Sequence, residues 1–132
     1  FETLLKRYQQ DRTISTLALQ GSVEIIEEGV DIQEKAYEYL RQVLPRENSS
    51  ISAVVLGCTH YPFVIPSLKR IFGSNTMIVD GSEGTAKRLK DVLASRNLLN
   101  SNNPHRKIKI YNSSPNNEMI RLSKKLLETA YD

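Results

Sequence analysis

The apolar positions of this chain follow two rhythms. Ile32, Ala36, Leu40 and Val43 recur at steps of four, four and three, which places them on one face of a helix. Pro45 ends that helix. Asp31 with Glu34 three residues on reads as a capping box in its weaker Asp form. Ile51–Leu56 is instead a nearly continuous apolar run. Its length and character suit a strand buried on both faces, as in a helix-covered parallel sheet. Thr13–Leu19, rich in β-branched and apolar residues, predicts a short strand, and so does Thr76–Val79. Lys107–Tyr111 alternates Lys and Ile, the mark of a half-buried strand.

The remaining segments complete an alternation. Thr3–Gln10 reads as a helix end with Leu4, Leu5 and Tyr8 on one face. Gln20-Gly21-Ser22 turns the chain, and Ser22 caps a short helix over Val23–Glu28 that Gly29 stops. Pro62 and Pro66 delay the next helix, which runs from about Pro66 to Phe72 and closes at Gly73. Asp80-Gly81-Ser82 is a turn, with Ser82 capping a helix from Glu83 to about Leu98. Ala86, Leu89, Val92 and Leu93 form its buried stripe. After the polar loop Asn97–His105 and the strand at Lys107–Tyr111, a last amphipathic helix spans Asn116–Ala130. It uses Met119, Ile120, Leu126, Leu127 and Ala130. Strands alternating with helices through short connections predict an α/β fold, with a mainly parallel sheet flanked by helices. Ligands of such folds bind outside the carboxyl ends of strands. Gly57–Pro62 and Asp80–Ser82 both sit at such ends.

Composition narrows the function. The 132 residues are 39% hydrophobic and 25% charged, an ordinary globular balance that excludes low-complexity and largely disordered classes. The longest apolar run, Ala53–Leu56, is far short of the roughly 20 residues a membrane span needs. No charged-then-apolar leader is visible, which leads us to expect a cytoplasmic protein. A chain starting at Phe1 is expected to be part of a longer one. Charge is uneven: residues 1–83 hold 8 Lys/Arg against 11 Asp/Glu, and residues 84–132 hold 10 against 4. The basic residues of the second part are scattered and lack interleaved aromatics, which disfavours nucleic acid as a partner.

The chemistry concentrates at Gly57-Cys58-Thr59-His60-Tyr61-Pro62. Gly57 lets the backbone turn sharply after the strand. Cys58, the one cysteine, then lies at a strand tip near the start of a helical region, where free N–H groups favour a thiolate. Thr59 offers a hydroxyl and an N–H for a carboxylate. His60 can donate to a substrate or exchange a proton with the thiol. The plain alternative is an inert packed thiol beside a capping histidine. A metal site fails on ligand count, since Cys58 and His60 are only two and His105 is remote. Gly81-Ser82-Glu83-Gly84-Thr85 matches no phosphate loop. No cofactor is indicated.

Leu56-Gly57-Cys58-Thr59-His60-Tyr61-Pro62 resembles the second-cysteine motif of bacterial glutamate racemases, members of the aspartate/glutamate racemase family. Val79-Asp80-Gly81-Ser82-Glu83-Gly84-Thr85-Ala86 resembles the segment that follows in that family. Gly21-Ser22-Val23-Glu24-Ile25-Ile26-Glu27 resembles the upstream stretch of its Gram-negative branch, where Leu19-Gln20 also replaces a Cys-Pro pair. The resemblance implies a two-lobe racemase-like fold of which this chain is the C-terminal portion. Residues 1–83 would be the second lobe, and residues 84–132 a segment returning to the first, whose main body is absent. It implies cofactor-independent racemisation of L-glutamate to D-glutamate for peptidoglycan, by two cysteines on opposite faces of Cα. Carried over, Cys58 is the second-lobe acid/base and Thr59 binds substrate. His60 binds substrate and assists Cys58. Glu27 matches a family glutamate that supports this cysteine; the alternative is a solvated helix-face carboxylate beside Glu28. The family's Asp-Ser pair and Cys-Asn-Thr motif are absent here, so the chain alone should be inactive. The partners implied are glutamate, the remaining part of the enzyme, a second copy in some members, and in some a cell-wall precursor as activator. Two other readings stay open. One is a racemase for aspartate or another amino acid. The other is a non-catalytic regulatory or binding domain with a basic C-terminal part.

Overall fold

The computed structural model of the protein describes residues 2–8, 13–44, 51–100, 108–113 and 116–129. Among these the helices are α1 (Glu2–Tyr8), α2 (Ser22–Glu27), α3 (Ile32–Val43), α4 (Ile65–Phe72), α5 (Ser82–Ser95) and α6 (Asn117–Thr129). The strands are β1 (Ala53–Val55) and β2 (Met77–Val79), and a 3-10 turn over Tyr61–Val64 leads straight into α4. β1 and β2 pair in parallel, with Ala53 opposite Met77, Val54 opposite Ile78 and Val55 opposite Val79. One more bond extends the ladder at each end: Met77 N–H donates to the Ser52 carbonyl at 3.0 Å, and Leu56 N–H to the Val79 carbonyl at 2.8 Å. Parallel strands require a crossover, and the 3-10 turn with α4 supplies it. The α/β class read from the alternation is the class found, with two parallel strands and flanking helices.

The core lies on one side of this sheet. Ile26 of α2, Ala36 and Leu40 of α3, and Val64 and Leu68 around α4 are buried together. Leu56 and Ile78 pack against them from the sheet. The helical step at Ile32, Ala36 and Leu40 therefore does what its spacing predicts, joining α3 to both α2 and α4. α3 ends with Leu44 in an extended conformation, and Pro45 lies outside the described residues. Polar bonds tie the layers. Thr76 is buried, and its Oγ1 lies 3.0 Å from both the Ile51 and Phe72 carbonyls. Arg70 forks onto the Glu34 carboxylate at 2.5 and 3.4 Å while lying 3.7 Å over the Tyr37 ring.

α6 docks on the turn between α2 and α3. Gly29 is buried there with φ +69°, and a Cβ at this position would meet Leu122 Cδ1 at 2.9 Å. Lys125 Nζ donates to the Gly29 carbonyl at 2.6 Å, and Leu126 packs against the core. Met119, Ile120 and Leu127 are half-buried; Ala130 falls outside the described residues.

Several sequence expectations need correction. Thr13–Leu19 is irregular rather than a strand, and so are residues 108–111, with Ile108 74% exposed. A β-prone segment becomes a strand only beside a partner, and among the described residues only β1 and β2 pair. The Ile51–Leu56 run is not buried on both faces. Val55 is 72% exposed and Met77 64%, because no described layer covers the side of the sheet away from the core. α5 has no buried residue, and Leu89 is 59% exposed. The stripe of Ala86, Leu89, Val92 and Leu93 exists as a pattern, but no described helix or strand packs extensively against it.

The caps differ too. Gly21, not Ser22, stands before α2, and the Ser22 hydroxyl donates back to the Leu19 carbonyl at 2.6 Å. Asp31 takes a left-handed conformation with no side-chain cap bond, and Glu34 is drawn away to Arg70. At α5 the cap position is Gly81, with no side-chain cap bond, and Asp80 Oδ1 accepts the Ser82 N–H at 2.7 Å from one residue further out. Among the described residues no helix is long and apolar enough to cross a membrane.

Candidate functional site

Parallel pairing sends the chain out of β1 and β2 at the same end of the sheet, so the loops after Leu56 and Val79 are neighbours. After Gly57 the backbone tightens quickly. Tyr61 N–H donates to the Cys58 carbonyl at 3.2 Å, and Phe63 N–H to the His60 carbonyl at 3.1 Å. Pro62 sits at the start of the 3-10 turn, where a missing N–H loses no bond and the fixed φ suits the geometry. These bonds fold Cys58 and His60, two residues apart, toward each other.

The half-buried Cys58 places Sγ 3.9 Å from His60 Nδ1. His60 Nε2 lies 3.1 Å from Glu27 Oε1. Glu27 is the last residue of α2, so packing of α2 beside the 3-10 turn brings it from 33 positions away. The three residues singled out in the sequence as acid/base candidates thus form one line of thiol, imidazole and carboxylate. Glu28 turns elsewhere and pairs with Lys35 at 2.5 Å. Thr59 is exposed at the turn between Cys58 and His60.

The line has a chemical polarity. An imidazole that donates Nε2–H to a carboxylate holds Nδ1 as an acceptor, and that nitrogen faces the thiol. In that tautomer Nδ1 is placed to accept from the Cys58 thiol. The side chains of His60 and Glu27 are 31% and 45% exposed, so their pair adds little to stability; its consequence is orientation. Nearby, Asp80 is held below its ordinary carboxylate range by hydrogen bonding from the Ser82 side chain first and its backbone second. Among the described residues, no group of three or more His, Cys, Asp or Glu side chains is placed to hold a metal ion. His105 lies outside the described residues.

The sequence reading passed over Gln33 and Ser67. Gln33 Nε2 donates to the Phe63 carbonyl at 2.7 Å. Ser67 is fully buried, with Oγ 2.7 Å from the Gln33 main-chain carbonyl and 2.8 Å from Gln33 Oε1. The available signal was Pro66, three residues after Phe63, which leaves that carbonyl without its 3-10 donor.

Fold and site together define an α/β protein that gathers a thiol, an imidazole and a carboxylate at its strand tips. No family model matches the chain. It is similar to the glutamate racemase of Clostridium kluyveri, 40% identical over 129 residues, covering 97% of this chain and 50% of that protein. It is similar also to a glutamate racemase of Clostridium botulinum, 38% identical over 131 residues, covering 98% of this chain and 51% of that protein. The similarity runs over nearly all of this chain, which spans about half the length of the curated relatives it matches.

Proposed function

We propose that this chain carries one side of the catalytic cleft of a glutamate racemase, with Cys58 as the acid/base at one face of Cα. The observation that carries the reading is the line Cys58, His60 and Glu27, lying within a segment similar to glutamate racemases over 97% of its length. Racemisation needs a base to take the Cα proton and an acid to return one on the opposite face. The electron pair left on Cα spreads into the carboxylate in between. In one direction the Cys58 thiolate takes the proton; in the other its thiol gives one. His60 relays a proton with Sγ, Glu27 holds the ring, and the exposed Thr59 binds the substrate's carboxylate or amino end. One cysteine serves one face, so the second thiol comes from polypeptide outside this chain. In this scheme residues 1–83 belong to the second lobe and residues 84–132 return to the first. The intact enzyme is cytoplasmic and supplies D-glutamate to peptidoglycan.

The test is Cα hydrogen exchange and racemisation of glutamate by the intact enzyme in deuterated water. Cys58→Ala is expected to lower racemisation by about 10²-fold or more; full activity in that variant refutes the assignment. The 132-residue chain alone, held monomeric, is expected to leave glutamate unracemised.

A further inference from the structure

We propose that Gln33 is a positioning residue for the Cys58–His60 pair, acting through the main chain of the 3-10 turn. This rests on the acid/base reading of that pair. In a 3-10 helix the carbonyl of residue i is met by the N–H of residue i+3. For Phe63 that residue is Pro66, which has no N–H. The side-chain amide of Gln33, arriving from the first turn of α3, donates to this carbonyl at 2.7 Å. Phe63 in turn donates its N–H to the His60 carbonyl at 3.1 Å. The amide grips Phe63, Phe63 grips His60, and His60 is the residue on which the turn begins.

The grip matters because the contact it sets is long. At 3.9 Å between Sγ and Nδ1, a small displacement of the His60 backbone separates the thiol from the imidazole, and proton transfer depends steeply on such placement. The amide is itself aimed. Ser67, fully buried at the α3–α4 contact, reaches both Gln33 Oε1 and the Gln33 main-chain carbonyl. The one hydroxyl proton can serve either acceptor, so the side chain of Gln33 is held with its Nε2 toward Phe63. Removing that side chain still leaves Ser67 the main-chain carbonyl at 2.7 Å. No buried hydroxyl is orphaned, and Gln33 itself is exposed. The substitution is therefore expected to loosen the turn and leave the fold intact.

Cys58 is the one cysteine of the chain, so its alkylation by iodoacetamide reports a single site. Rates are measured across the neutral pH range for the 132-residue chain and for Gln33→Ala and Gln33→Glu, which lack the donor. Gln42→Ala, on the exposed side of α3, is the control. We expect both Gln33 variants to react about threefold or more slowly at neutral pH, with a changed pH profile and displaced His60 ring signals in nitrogen NMR. Their far-UV spectra should match the parent. Rates and ring signals that superimpose on the parent would overturn the proposal. So would a Gln33 variant that fails to fold, because the amide would then serve the whole structure and not the turn. Displaced ring signals in the Gln33 variants, with Cys58 reactivity unchanged both in them and in His60→Asn, would uphold the placement by Gln33 and refute the acid/base reading of the pair.

Discussion

Replacing Gly29 by Ala probes how α6 is seated behind the Glu27 end of α2. Gly29 has φ +69°, and an L-residue in that region costs roughly 1–2 kcal/mol. The new Cβ would lie 2.9 Å from Leu122 Cδ1, closer than carbon atoms allow. The obstacle is the tip of a side chain, so it can swing aside at about 1 kcal/mol, the lower end of overpacking costs. The Lys125 bond to the Gly29 carbonyl, 2.6 Å long, would follow any shift of the turn. The sum is about 2–3 kcal/mol of lost stability, to be read as a lower urea midpoint at unchanged slope. A double-mutant cycle separates the parts: in a Leu122→Ala background the collision disappears and only the backbone portion remains, leaving a coupling of about 1 kcal/mol. An equal loss in both backgrounds would show that Leu122 does not sit over Gly29. No loss in either would refute the left-handed backbone as well.

Two further expectations concern the scaffold. Leu40→Ala removes a side chain that is 1% exposed at the meeting of α2, α3 and α4 and should cost about 3 kcal/mol in the same unfolding assay; a loss below about 1 kcal/mol would contradict its place in the core. The hydrogen bond from Arg70 holds the Glu34 carboxyl below its ordinary 4.5. A carboxyl lowered on folding stabilises above its unfolded value, and that contribution fades as pH falls through the lowered one. Glu34→Gln should therefore melt slightly below the parent at neutral pH and converge with it as pH falls below about 4.5, which flattens the acid side of its profile; an acid limb parallel to the parent's would exclude the linkage.

What the sequence revealed depended on how local each signal was. The Cys58–His60 approach is written within three residues, and Gly57 and Pro62 fix the turn that makes it, so it was legible at once. α3 was legible for the same reason, its apolar spacing being a property of the segment alone. Glu27 came only through family resemblance, because meeting His60 depends on how α2 packs beside the 3-10 turn. Gln33 escaped notice altogether: its partner is a main-chain carbonyl, which no side-chain pattern announces. The strands expected at Thr13–Leu19 and, within the described residues, over 108–111 failed for the opposite reason. Their composition fits a sheet, but composition does not supply the neighbouring strand that makes one. Caps failed at Ser22 and Asp31 because a short polar side chain has several backbone partners within reach, and the choice among them is made by the turn.

The sheet has a consequence for handling the protein. Val55, Met77 and Val79 stand together on its side away from the core, 72%, 64% and 40% exposed, next to strand edges that no described segment pairs. A flat apolar surface beside open backbone donors and acceptors is adhesive. In concentrated solution three side chains that already stand in water favour contact between one copy of the sheet and another.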